Sequence, residues 1–143
     1  MDYYATEEQK NLMDYVGKTL MGYIDELYET WLETFQSETK LKYPNKIKAR
    51  EWYQQLSEED RKMVFSVIKE TAFSMVYSLL YESQNSQAGF PDALYFAARK
   101  DNIEYPNISY QSDGMCGDML LDDGWYETFS KYAETEDRFW YTS

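Results

Sequence analysis

Apolar residues recur at Met13, Val16, Leu20, Ile24, Leu27, Trp31 and Phe35. Steps of three and four place them on one stripe of a helix. Thr6-Glu-Glu-Gln9 stands just ahead and fits a capping box, in which the Thr hydroxyl accepts from an orphan N–H and the Gln reaches back. The pattern predicts a long first helix with this stripe turned inward. Gly17 and Gly22 interrupt it, and each weakens a helix by about 1 kcal/mol relative to Ala. A bend or a close helix crossing is expected there. Asp25, Glu29 and Glu33 fall four apart beside the stripe and are expected to form a solvated acidic ridge.

After Pro44-Asn45, a turn signal, "KIKAREWYQQL" predicts a short helix. Lys40, Lys42, Lys46, Lys48 and Arg50 cluster here, and they are expected to complement the protein's own carboxylates rather than phosphate. Ser57 then caps the best core helix, "SEEDRKMVFSVIKETAFSMVYSLLYE", with acids in the first turn where the helix dipole favours them. Met63, Val64, Val67, Ile68, Ala72, Met75, Val76, Leu79 and Leu80 make its broad apolar face. Leu79 is expected in the core. Between 91 and 110 two patterns compete. Pro91 could open a short helix, or Leu94–Ala98 and Ile103–Tyr110 could pair across residues 100–102 with Pro106 at an edge. The β-branched and aromatic residues of the second arm favour the hairpin.

The stretch "SDGMCGDMLLDDGW", Ser112–Trp125, holds the only cysteine, three glycines and four aspartates. It does not fit a helix-loop-helix calcium loop: counting from Asp113, position 3 is Met115 and position 5 is Gly117. Asp122 and Asp123 are adjacent, and neighbouring helical side chains splay by about 100°. No metal ligand set is therefore assigned, and no cofactor. Asp118 is a good N-cap, after which Leu121, Trp125, Phe129 and Tyr132 step along one helical face. Gly124 inside that helix implies close approach of another backbone or of a partner. Cys116 lacks a nearby base and is expected to be an unreactive thiol. The closing "DRFWYTS" is expected to dock on the protein's own core, because Phe139, Trp140 and Tyr141 would otherwise expose a large apolar patch.

These elements compose a mainly α fold: a single domain, 1–143, of about four helices with a small β-hairpin near residues 94–110. The chain is 43% hydrophobic and 18% aromatic with 15 tyrosines, which argues against disorder. "MDYYA" reads as no secretory signal, and no apolar run approaches the ~18 residues of a membrane span. With one cysteine, these features point to the cytoplasm and away from a membrane.

Charge changes the picture most. The formal net is −12. Residues 1–38 hold nine acids against two bases, and residues 112–143 hold eight against two, around a near-neutral centre. Such a field repels bare nucleic acid and attracts a basic protein. With no histidine, Ser-His and Cys-His pairs are excluded. No phosphate-binding glycine loop is present.

"LSEEDRKMVFSVIKE", "LYFAARKDNIEYP" and "DMLLDDGWYETFSKY" together resemble the layout of small uncharacterised acidic bacterial proteins: an acid-capped helix, a little hairpin, then an acidic-aromatic helix. The resemblance spans roughly the last 85 residues and implies no activity. In size and charge the chain is also similar to immunity proteins that neutralise a toxin. The expected function is a non-enzymatic acidic protein that blocks a basic protein partner. Asp118, Asp122, Asp123 and Glu127 would steer it, and Trp125 and Tyr126 would anchor it. A carboxylate enzyme using Mg²⁺ and a structural subunit are the alternatives.

Overall fold

The computed structural model describes Tyr4 and residues 6–133. Among these residues the fold is mainly α with one small hairpin. Helix α1 runs Glu7–Gln36, α2 Pro44–Gln54 and α3 Glu58–Gln84. Strands β1, Ala98–Lys100, and β2, Ile103–Tyr105, follow, then α4, Met115–Leu120, and α5, Trp125–Phe129. The expected docking of Arg138–Ser143 lies outside the described residues.

The caps act as the sequence requires. Gln9 N–H donates to Thr6 Oγ1 at 3.1 Å, and Asp60 N–H donates to Ser57 Oγ at 3.1 Å. Pro44 begins α2 instead of turning the chain ahead of it, because its fixed φ suits a first helical turn and its missing N–H costs nothing there. At the other end of the preceding segment, Arg50 donates to the carbonyls of Thr34, at 2.6 Å, and Thr39, at 2.7 Å. The guanidinium thus satisfies carbonyls near the end of α1, where the helix dipole favours a cation. This corrects the expectation for the basic cluster. Among the described residues, Lys40, Lys42, Lys46 and Lys48 form no ion pair.

The hairpin is shorter than the pattern suggested. Ala98 pairs with Tyr105, Arg99 with Glu104 and Lys100 with Ile103. The two-residue turn, Asp101-Asn102, has φ of 54° and 64°, the positive values that suit Asn and Asp in a tight hairpin turn. Tyr105 OH donates to Glu8 Oε1 at 2.6 Å and ties the hairpin to the start of α1. That hydrogen bond, followed by burial, pushes the Tyr105 phenol up to about 12.

Two apolar clusters make the core. The larger joins Leu12, Met13, Val16, Met21 and Ile24 of α1 to Phe73 and Leu80 of α3 and to Met115, Met119, Trp125 and Tyr126. The smaller gathers Tyr28, Phe35, Tyr53 and Phe65, with Phe35 stacked on Tyr53 at 4.5 Å and Phe65 set edge-on to both. The inward stripe of α1 is thus rotated from the expected one. Met21 and Tyr28 are inside, while Leu27 is 42% exposed.

α3 departs further. Its core side is Phe65, Lys69, Ala72, Phe73 and Leu80. Met63, Val67, Met75 and Leu79 are exposed. A helix apolar on nearly all sides offers more surface than two neighbouring helices can cover, and the larger rings took the interior. By length and composition the stretch Glu58–Ala88 is also apolar enough to cross a membrane, and 22% of its most apolar window is buried in the chain. This overturns the expectation that no segment is apolar enough to cross a membrane.

The expected single C-terminal helix is broken in two. Asp118 does not cap it; Gly114 occupies the N-cap position, and Gln84 of α3 accepts the Cys116 N–H at 3.2 Å. The chain turns through Leu121–Gly124, with Asp123 at φ 61°. Met115, Met119 and Tyr126 are all buried, at steps of four and seven. In one continuous helix Asp122 would lie on that same face. The break delivers Trp125 and Tyr126 inward while leaving Asp122 exposed. Gly124 permits it: a Cβ there would lie 2.4 Å from the Asp118 carbonyl and 2.6 Å from that of Leu121.

The two glycines of α1 differ in the same way. A Cβ on Gly17 would lie 2.4 Å from Cγ of Trp125, whereas one on Gly22 meets nothing within 4 Å. Gly17→Ala should lower stability by about 1–3 kcal/mol through overpacking. Gly22→Ala should raise it by about 0.5–1 kcal/mol through helix propensity. Thermal or urea unfolding reads both signs, and equal effects would contradict the packing described. The same measurement separates two neighbours on α3. Leu80→Ala should cost about 2–5 kcal/mol, and Leu79→Ala about 1 kcal/mol or less.

Candidate interaction surfaces

The residues expected to meet a partner divide into two groups. Trp125 and Tyr126 are 3% and 0% exposed. Trp125 sits against Gly17, and Tyr126 meets Phe73 edge-on at 5.3 Å. These rings are core and present no anchor to a partner. Asp122 and Asp123 are exposed. Glu127 is half-buried and accepts the Asp123 N–H at 3.1 Å, which holds the turn between α4 and α5.

Asp118 is half-buried in a cleft of about 240 Å³ that it shares with Tyr4, Lys10, Asp14, Asp122 and Asp123. Ser112 Oγ donates to it at 2.5 Å, and the Tyr4 hydroxyl also bonds to it. Burial raises its carboxyl above the usual range, and these two hydrogen bonds oppose that shift. Burial and the Asp118 charge push the Tyr4 phenol up in turn. Across the mouth, Lys10 Nζ donates to Asp14 at 2.6 Å. Four carboxylates and one ammonium give this cleft a net negative charge. Among the described residues, no group of three or more Cys, Asp or Glu is gathered to hold a metal ion. Cys116 is buried, and desolvation raises its thiol.

The ridge Asp25, Glu29 and Glu33 is only partly solvated. Asp25 is 4% exposed. Its two oxygens accept Ser130 Oγ–H at 2.6 Å and Lys131 N–H at 2.8 Å. Such bonds to a charged acceptor are worth about 1.5–3 kcal/mol each. Glu29 accepts from Lys131 Nζ at 3.2 Å and from Tyr132 OH at 3.1 Å. The solvated ridge predicted from spacing is in part a latch for the segment after α5.

Sequence reasoning missed a second surface altogether. Two apolar grooves lie along the seam of α1 and α3. One, about 500 Å³, is lined by Leu27, Trp31, Trp52, Met63, Val67 and Ile68 among others. The other, about 610 Å³, is lined by Tyr15, Leu20, Tyr23, Val76, Leu79 and Phe96 among others. The signal was present in the width of the α3 apolar face, which exceeds what one core contact can use.

Bonding to Lys131 and Tyr132 holds the Glu29 carboxyl below its ordinary range. A lowered folded value contributes stability above the unfolded carboxyl range, near pH 4.3, and loses it as pH falls through the folded value. Glu29→Gln should therefore melt slightly below the natural chain at pH 7, and the gap should close as the pH falls through the folded value. A gap that stays constant across this range would exclude the latch. No family model, curated protein or solved structure matches this chain.

Proposed function

We propose that the protein is a non-enzymatic acidic binding protein that captures and blocks a basic protein partner, in the manner of an immunity protein or an anti-defence inhibitor. The observation that carries this reading is a pairing of two surface properties. The net charge is −12, and the same chain leaves large apolar side chains such as Tyr23, Trp52, Met63 and Met75 half or more exposed. Charge of one sign steers diffusional encounter. Apolar and aromatic side chains supply the desolvated contacts that slow dissociation. Asp122, Asp123 and Glu127 serve as steering carboxylates in this reading. Trp125 and Tyr126, being core, do not serve as anchors.

The test is kinetic. A partner captured by cross-linking in the producing cell is purified and mixed with the protein in a stopped-flow instrument. Its association rate should fall at least tenfold between 50 and 300 mM salt, on the order expected for steered encounter. Asp122→Asn with Asp123→Asn should flatten that dependence. An acidic partner, or a rate indifferent to salt, would overturn the reading.

A further inference from the structure

The groove of about 610 Å³ is a pocket with three walls. α1 forms one wall from position 15 to position 23, about 12 Å of helix. α3 forms the second from position 76 to position 80. The third is the first strand of the hairpin with the chain just ahead of it, positions 96 to 99. Val16, Leu80 and Ile108, all buried, line its depth, and Tyr15, Tyr23 and Leu79, all exposed, form its lip. The third wall is fastened at both ends. Ile108 N–H donates to the Phe96 carbonyl at 2.9 Å, and Tyr105 of the hairpin donates to Glu8 of α1 at 2.6 Å. The pocket is thus preformed, and its volume falls within the ~300–1,000 Å³ of small-molecule sites.

The polar lining chooses the occupant. Its polar side chains are Tyr15, Thr19, Tyr23 and Arg99. All four can donate a hydrogen bond, and Arg99 can only donate. Among the described residues no Asp, Glu, Asn or Gln lines the pocket, although the chain carries 26 acids against 14 bases. The lining therefore matches an acceptor and gives a cationic head no carboxylate. Glu104 accepts from Arg99 Nε at 2.5 Å. That bond holds the guanidinium in place and, among the described residues, leaves its terminal N–H groups for an incoming acceptor. Lys100 donates to Asp101 at 3.0 Å and sets its ammonium 5.6 Å from the centre of the Tyr15 ring, at the same lip. With Glu104 and Asp101 beside these cations, the hairpin end offers an anion directed donors rather than a field. The net charge of −12 opposes any anion at long range. Salt screens that repulsion beyond ~8 Å, whereas a charge-assisted hydrogen bond acts at contact, and a carboxylate accepts two parallel N–H groups from one guanidinium.

We propose that the pocket between α1, α3 and the hairpin binds one small anionic amphiphile, of the class of a medium-chain carboxylate. Its apolar tail lies on Val16, Leu80 and Ile108, and its carboxylate accepts from Arg99 at the mouth. This goes beyond the acidic-binder reading and does not rest on it, because it uses the lining of one pocket and not the net charge.

The probe is decanoate, titrated calorimetrically into the full chain below its micelle concentration. It should bind at one site per chain, and binding should tighten about fourfold for each methylene added from octanoate to decanoate. At about 150 mM salt decanoate should bind at least fivefold tighter than decyltrimethylammonium, which the net charge alone would favour. Thr19→Trp fills the pocket from a half-buried position on α1 and should weaken decanoate at least tenfold with the melting temperature little changed. Should that variant disturb folding, Leu79→Gln at the exposed lip reads the same pocket. Arg99→Gln with Glu104→Gln keeps the net charge and should remove the preference for decanoate over the ammonium. Tighter binding of the ammonium by the natural chain would overturn the site. So would decanoate binding that Thr19→Trp and Leu79→Gln leave intact, or a preference for decanoate unchanged in the Arg99 and Glu104 double variant. Association with phosphatidylglycerol vesicles that Thr19→Trp abolishes, without binding of decanoate, would overturn it in favour of a membrane surface.

Discussion

A tryptophan ring pressed against a glycine fixes the arrangement of this protein. Helix α1 has no side chain at position 17, and Trp125 fills the notch so closely that a Cβ would fall within 2.6 Å of three ring atoms. A glycine in mid-helix costs about 1 kcal/mol, while burying a tryptophan contributes several times that. The net gain explains a helix that tolerates a poor residue at its centre. Trp125 is also the first residue of α5. Its seat therefore decides where the chain leaves the turn after α4 and how Tyr126 reaches Phe73.

The polar bonds follow from that seat. With α5 placed, Ser130 and Lys131 come under the Asp25 carboxylate and Tyr132 comes over Glu29. Lys69, 2% exposed, donates to the Tyr132 carbonyl at 3.0 Å and lies 5.2 Å from the centre of the Tyr28 ring. A buried ammonium is costly unless bonded. Here both partners, Tyr28 and Tyr132, belong to the smaller aromatic cluster. These bonds fasten the segment after α5 to α1 and α3.

Local signals were legible and long-range choices were not. The Thr6 and Ser57 caps, the helix after Pro44 and the hairpin turn depend on residues within four positions of one another, so their chemistry is written in short words. Which of several apolar rows on α3 goes inward is decided by what packs against it. Phe65, Phe73 and Leu80 won that competition, and Met75 and Leu79 lost it. Asp25 read as surface because its partners, Ser130 and Lys131, are more than a hundred positions away in sequence. The break at Leu121–Gly124 was hidden for a related reason. The spacing of Leu121, Trp125, Phe129 and Tyr132 is helical, yet continuing the helix would carry Asp122 onto the buried face. The acidic candidates stayed at or near the surface where their charge implied, but the aromatic ones were claimed by the core.

The seating of Trp125 of α5 on Gly17 of α1 is thus the contact on which the rest of the arrangement depends. A double-mutant cycle at positions 17 and 125 tests this most directly. If the ring occupies the notch, Gly17→Ala destabilises the natural chain but stabilises the Trp125→Leu chain, where the space is vacant and helix propensity alone remains. The difference between the two effects should be at least 1.5 kcal/mol, about the sum of the lower bounds for overpacking and for the propensity gain. Equal effects of Gly17→Ala in both backgrounds would show that the two residues do not meet, and the account would fail.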